Sequence, residues 1–290
     1  MNYRHAFHAG NFADVVKHAI LARILVHLAA KPAPFRVIDT HAGIGLYDLA
    51  GSEARRTGEW RGGIGRLLAA PLPDAAAALL EPYLAAVATT AGVTTPSRLD
   101  PAHLATYPGS PLIVRAGLRR VDRATAVELH PADAATLAAL FAGDARLKVV
   151  ELDGWLALKS FLPPKERRGL VLIDPPFENV DEFDRVVRGL IEATQRFANG
   201  IYMVWHPIKG AADLRRHHQD LVDTGLRRIL TVEFAVDRPD AEGPLVACGL
   251  TIVNPPWTLP EELDVLLPAL IDRLAIGPDA FAGWRWLVPE

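Results

Sequence analysis

The feature that most constrains this chain is a set of short apolar runs, each closed by a polar residue, with helix-patterned segments between them. The runs are 35–39, ending on Asp39; 124–129, with Glu128 near its end; 147–152, before Asp153-Gly154; 169–173, before Asp174; and 200–205, before His206-Pro207. Segments 132–142, 154–161 and 181–197 carry helical patterning. Runs this short, without polar alternation, read as strands buried on both faces. Their alternation with helices predicts a parallel sheet whose site lies at the strands' carboxyl ends. Ahead of the first strand, Val15, Val16, Ala19, Ile20, Ile24 and Leu28 recur at helical spacing, and Lys31-Pro32-Ala33-Pro34 stops that helix. Two late strands, 228–236 and 248–253, predict a hairpin that closes the sheet with an antiparallel strand.

The first strand runs into Asp39-x-x-x-Gly43-x-Gly45. Glycines at a strand-to-helix turn let the backbone approach a ligand. The residue three after Gly45 is Asp48, so the full Gly-x-Gly-x-x-Gly fingerprint of a pyrophosphate-binding dehydrogenase is incomplete. A nucleoside ligand without pyrophosphate, such as S-adenosylmethionine, tolerates this looser loop. In a dinucleotide fold the ribose-binding acid follows the loop by ~20 residues. Here the acid that best ends a second strand is Glu128, so residues 52–108 read as an insertion. Its Ala- and Leu-rich sequence, broken by Pro71, Pro73, Pro82 and Pro96, predicts a small helical subdomain inside a main domain formed by 1–51 and 109–290. Glu128 suits ribose hydroxyls and Asp153 an adenine amine, although either acid can equally cap the helix that follows. His41 sits inside the glycine loop, where a side chain has little room without a ligand role. Ser110 is open to two roles, capping a helix or facing the ligand.

Asp174-Pro175-Pro176-Phe177 is the sharpest motif. An exocyclic amine on a base is a poor nucleophile because its lone pair is delocalised into the ring. A carboxylate and a backbone carbonyl in fixed geometry can accept its two hydrogens and localise that pair. Two prolines stiffen the turn and remove competing N–H groups. An aromatic next to them can stack on a base drawn out of its helix or loop. Asn254-Pro255-Pro256-Trp257 has the same form, but it follows the strand expected to run antiparallel, so its end lies away from the ligand side and reads as a turn. The residues alone therefore describe an S-adenosylmethionine-dependent methyltransferase acting on an amine.

Composition narrows the partners. The formal charge is −3 over 290 residues, so any nucleic acid must be held by a local patch. The candidate patches are Arg55, Arg56, Arg61 and Arg66; Lys165, Arg167 and Arg168; and Arg215, Arg216, His217 and His218, each of which can also be an ordinary solvated face. The one cysteine, Cys248, excludes an internal disulfide and a cysteine-based zinc site. No apolar run reaches membrane-spanning length and no secretory signal opens the chain, so a cytoplasmic protein is expected. The histidines near the N-terminus lack a carboxylate pair at ligand spacing, and no metal is expected.

Several of these strings resemble the bacterial large-subunit ribosomal RNA methyltransferase J family. They are Tyr3-Arg4-His5-x-Phe7-His8-Ala9-Gly10-Asn11 with Asp14, Lys17 and His18; Asp39-Thr40-His41-Ala42-Gly43; Tyr107-Pro108-Gly109-Ser110-Pro111; Glu128-Leu129-His130-Pro131; Asp153-Gly154; and Ile173-Asp174-Pro175-Pro176. Asn254-Pro255-Pro256-Trp257 and Val288-Pro289-Glu290 extend the likeness to the end of the chain. The resemblance implies a class I, Rossmann-like methyltransferase fold and N6-methylation of one adenine in 23S rRNA, by a monomer acting on RNA free of assembled subunits. It implies that His18, His41, Ser110, Glu128, Asp153, Gly154 and Asp174 contact the cofactor, that Asp174 is catalytic with Pro175 and Phe177 beside it, and that Tyr3 touches the substrate. His5 and Lys17 join Tyr3 and Phe177 as expected substrate contacts. The position after the prolines is often Tyr in that family; Phe177 keeps stacking and loses a phenol hydroxyl. Alternative readings keep the chemistry on DNA adenine or a protein glutamine, replace it with a nicotinamide-dependent oxidation, or reduce the chain to a non-catalytic RNA-binding protein.

Overall fold

The computed structural model describes residues 4–240 and 242–290. In chain order the elements are α1 (Phe12–Ala29), β1 (Arg36–Asp39), β2 (Leu46–Asp48), α2 (Ser52–Thr57), α3 (Ile64–Leu68), α4 (Asp74–Thr90), β3 (Thr106–Pro108), α5 (Ser110–Gly117), β4 (Arg123–Glu128) and α6 (Pro131–Leu140). They continue with β5 (Leu147–Glu151), α7 (Gly154–Ser160), β6 (Gly169–Ile173), α8 (Glu182–Arg196), β7 (Ile201–Pro207), α9 (Ala211–Asp223), β8 (Ile229–Ala235), β9 (Ala247–Val253), α10 (Leu259–Leu274) and β10 (Phe281–Val288).

Eight strands form one sheet in the order β10-β8-β9-β7-β6-β1-β4-β5. The stretch β7-β6-β1-β4-β5 is parallel, and β9 enters antiparallel to β7. The apolar runs are strands because they are covered on both sides: every residue of β6 and β9 is buried. One face carries α1, α4, α5 and α10, which pack on one another; the other carries α7, α8 and α9. The expected parallel α/β sheet and its closing hairpin are thus present, with boundaries within a few residues of those read from the patterning. Nothing in that patterning points to β10, an edge strand with no fully buried residue, or to the small antiparallel ribbon of β2 and β3.

Two helices explain how the site is framed. Asn11 caps α1, its side chain accepting the Asp14 amide, and α1 is buried almost all round, including Asp14, Lys17 and His18. Residues 52–108 hold α2, α3, α4 and short 3₁₀ turns and end in β3. Leu80, Tyr83, Leu84 and Val87 of α4 join the same apolar core as α1.

Candidate active site

The carboxyl ends of β1, β4 and β6, together with Asp153 and Gly154 just beyond β5, open onto a cavity of about 400 Å³, within the range of small-molecule sites. His5, Lys17, His18, His41, Ser110, Glu128, Asp153, Gly154, Asp174 and Pro175 all line it, although they come from seven separate parts of the chain. Tyr3, an expected substrate contact, lies outside the described residues.

At the floor, the Lys17 ammonium donates to Asp174 Oδ2 at 2.5 Å and pairs with Asp14 Oδ1 at 2.9 Å. Burial works against the charge on Lys17, but the Asp14 and Asp174 carboxylates outweigh it and hold its pKa well above the ordinary value. Asp14 also accepts from the Gly10 amide at 2.9 Å and sits 2.9 Å from His5 Nε2. Burial works against its ionisation, yet the neighbouring His5 and Lys17 hold its carboxyl well below the usual range. Asp14 was absent from the sequence-based candidates. An Asp-x-x-Lys spacing on a helix normally marks a solvated i,i+3 pair, and only the packing of α1 among α4, α5, α10 and β9, which brings Lys17 to Asp174, turns it into a buried hub.

The opposite wall suits a nucleoside with a cationic centre. Glu128 receives the Gly43 amide on Oε2 and the His130 amide on Oε1, both at 2.8 Å, which locks the glycine loop to the end of β4. Each of its oxygens keeps a further lone pair for a ligand. Asp153 caps α7 through the Trp155 and Leu156 amides, at 2.8 and 3.1 Å, and still faces the cavity. Capping and ligand-facing are therefore not alternatives there. Ser110 does not cap α5; its hydroxyl donates to Asp39 Oδ2 at 2.7 Å. Burial pushes the Asp39 carboxyl up to about 7, against the hydrogen bonds it accepts from Ser110 and the His41 backbone. Burial also lowers His18 to about 3 and His41 to about 4, so both rings are neutral at pH 7. Carboxylates and uncharged imidazoles around the cavity are the set expected around a sulfonium with ribose and adenine attached. The glycines serve packing first: a Cβ on Gly45 would sit 2.7 Å from Leu137, and one on Gly154 would sit 2.3 Å from the Thr40 carbonyl.

Phe177 departs from expectation. With φ at +50° it turns its ring to Phe183 and Trp205, at centroid distances of 5.0 and 6.0 Å, and it does not line the cavity. A non-glycine residue in that region stores strain. Pro176 lines the cavity beside Pro175 instead. The second motif is remote: Asn254 donates to the carbonyls of Ala198 and Gly200, both at 2.9 Å, just ahead of β7. It therefore ties together the amino-terminal edge of the sheet. Among the described residues no cluster of three His, Cys, Asp or Glu side chains can hold a metal, and no helix is long and apolar enough to cross a membrane.

The family model "Ribosomal RNA large subunit methyltransferase D, RlmJ" matches residues 32–288. The chain is 41% identical over 292 residues to the ribosomal RNA large subunit methyltransferase J of Escherichia coli (strain K12), with both chains covered in full. It is 40% identical over 294 residues to the protein of that name from Haemophilus influenzae, again with full coverage. A crystal structure of a Legionella pneumophila protein superposes with a TM-score of 0.84 at 30% identity, covering 96% of this chain and 98% of that one.

Proposed function

The chain belongs to the ribosomal RNA large subunit methyltransferase J family, and from that premise we propose that it methylates N6 of a specific adenine in 23S rRNA, acting as a cytoplasmic monomer on RNA not yet assembled with protein. It is an rRNA methyltransferase, and its methyl donor is S-adenosylmethionine. The observation that carries the adenine reading is the Asp174-Pro175-Pro176 turn at the end of β6, with the Asp174 carboxylate aimed into the cavity and held by Lys17.

In this reading His18, His41, Ser110, Glu128, Asp153, Gly154 and Asp174 hold the cofactor, which supplies an electrophilic methyl carbon on a sulfonium. The rest of the work belongs to the chain. Asp174 accepts one hydrogen of the exocyclic amine and a backbone carbonyl of the turn accepts the other. This favours the tetrahedral nitrogen that forms as its lone pair is drawn out of the ring. The nitrogen gains a methyl group and gives up the proton that Asp174 holds. Lys17 takes one lobe of Asp174 Oδ2 and so fixes the orientation of the carboxylate that meets the amine. His5 lines the same cavity as Asp174 and meets the substrate there, with Tyr3 as a further contact, while Phe177, turned to Phe183 and Trp205, braces the Asp174 turn instead of touching the base.

The test is methyl transfer from labelled cofactor to protein-free 23S rRNA, duplex DNA and a release-factor protein, with mass-spectrometric mapping of the product. Incorporation into one rRNA adenine is expected. Label confined to DNA or to protein glutamine would replace this reading. Asp174→Ala is expected to lose turnover by at least ~10²-fold while still binding cofactor.

A further inference from the structure

We propose that a second cleft, back to back with the active-site cavity, seats the RNA backbone flanking the target base, with Arg55, Arg61 and Arg66 as its phosphate-binding cations; this rests on the rRNA reading above. The cleft measures about 730 Å³ and is lined by Arg55, Trp60, Arg61, Arg66, His103 and Leu104, among others. One stretch of chain separates the two cavities. Asp48, Gly51 and Glu53 face the active-site cavity, whereas Leu49, Ala50 and Arg55 face the cleft. A base inserted on one side of this wall leaves its neighbouring phosphates within a few residues' width of the other side.

Charge selects the partner. The acids nearest the cleft have other partners: Glu53 pairs with Arg4 at 4.0 Å, Glu59 is bound by His8 and Asn11, both at 3.0 Å, Asp48 accepts the Ala50 amide at 2.8 Å, and Asp100 pairs with His103 at 2.6 Å. Arg55, Arg56, Arg61 and Arg66 are exposed, and among the described residues none has a carboxylate within 4.0 Å. Arg61 lies over the Trp60 ring at 4.9 Å and Arg56 over Phe7 at 5.9 Å, so these guanidinium planes are held by aromatic faces with their edges left for an anion. A protein with net charge −3 therefore concentrates uncompensated positive charge beside its site. The other two candidate patches fail on position. Arg168 is spent on the carbonyls of Leu28 and Ala33, and its own carbonyl accepts the first amide of β1, which places 165–168 at the sheet's far edge. His217 and His218 are buried, and Arg216 lies beside Asp184 and Asp220.

The test compares the full-length wild-type protein, an Arg55→Gln/Arg61→Gln/Arg66→Gln variant and a far-edge Lys165→Gln/Arg167→Gln variant on protein-free 23S rRNA. All five positions are exposed, and thermal melting checks that each variant folds. The triple variant is expected to raise KM for RNA roughly tenfold, with cofactor affinity intact. The slope of log K against log salt should shrink by about 2, at about 0.7 per lost phosphate contact on single-stranded RNA. The far-edge variant should match wild type. An unchanged KM and salt slope in the triple variant, with wild type methylating rRNA normally, overturns the cleft assignment alone, as does a loss confined to the far-edge variant. A wild-type protein that methylates no rRNA overturns the functional reading, and the cleft assignment with it.

Discussion

Asp14 shows how one buried carboxylate can organise a site it does not itself enter. It gathers the Gly10 amide, the His5 ring and the Lys17 ammonium, and Lys17 passes the arrangement on to Asp174. Asp14→Asn leaves Lys17 buried with a single counter-ion. Breaking a buried pair in this way typically costs about 3–5 kcal/mol. Denaturant unfolding of the variant should show a loss of that order, together with slower methyl transfer; a loss below about 1 kcal/mol would mean that the Asp174 pair alone suffices for Lys17. Asp174 and its prolines were legible in the sequence because a polar residue ending a buried strand leaves few structural explanations. His5 and Lys17 were reached through family likeness, since their roles depend on contact with residues far along the chain. The orientation of Phe177 was not legible, because it follows from a local positive φ that no residue pattern announces.

At the level of elements, β7 and α9 meet through a layer of histidines. His206, His217 and His218 follow one another at centroid distances of 5.1 and 6.1 Å, the first pair edge to face and the second tilted, with Phe183 against the first two. Among the described residues neither ring nitrogen of His217 has a hydrogen-bond partner. In the sequence, Arg215-Arg216-His217-His218 read as a basic run, because composition cannot say which side of α9 faces inward. Burial lowers His206 and His218 to about 4 and His217 to about 2, from 6.5. Each ring stays neutral in the fold and gains a proton once the chain unfolds, so stability drains away as the pH falls from 6.5 towards 4. Asp39 acts in the opposite sense: its folded pKa is about 7, against 3.8 unfolded, so it adds stability as the pH falls across that window. With His18 and His41 on the side of the three histidines, the net change is a loss. Melting temperature should therefore fall between pH 6.5 and 4.5, and His217→Phe should flatten that fall. The same change removes a buried unsatisfied donor, whose cost is about 1–3 kcal/mol, and should raise the melting temperature at pH 7 as well.

For the molecule as a whole, the insertion is part of the architecture. Leu80, Tyr83 and Val87 of α4 are fully enclosed in the core they share with α1 and α10, and Arg23 of α1 makes a bidentate pair with Glu262 of α10 at 2.8 Å. Replacing 52–108 by a short linker should therefore yield an insoluble or molten chain; a cooperative melt in the shortened protein would show a dispensable subdomain. The parallel sheet was legible because strands buried on both faces leave unbroken apolar runs. α10 and β10 were not, since Pro268 sits inside the helix, where a proline normally argues against one, and β10 is a partly exposed edge. The enclosure of α1 has a consequence for how the protein is made. This helix leaves the ribosome long before α10, on which it packs: α1 ends at Ala29 and α10 starts at Leu259. At ~5–20 residues per second, its apolar surface waits on the order of ten to fifty seconds for its last cover. An unfinished chain is thus both sticky and silent, because Lys17 meets Asp174 only once the two halves have closed on each other.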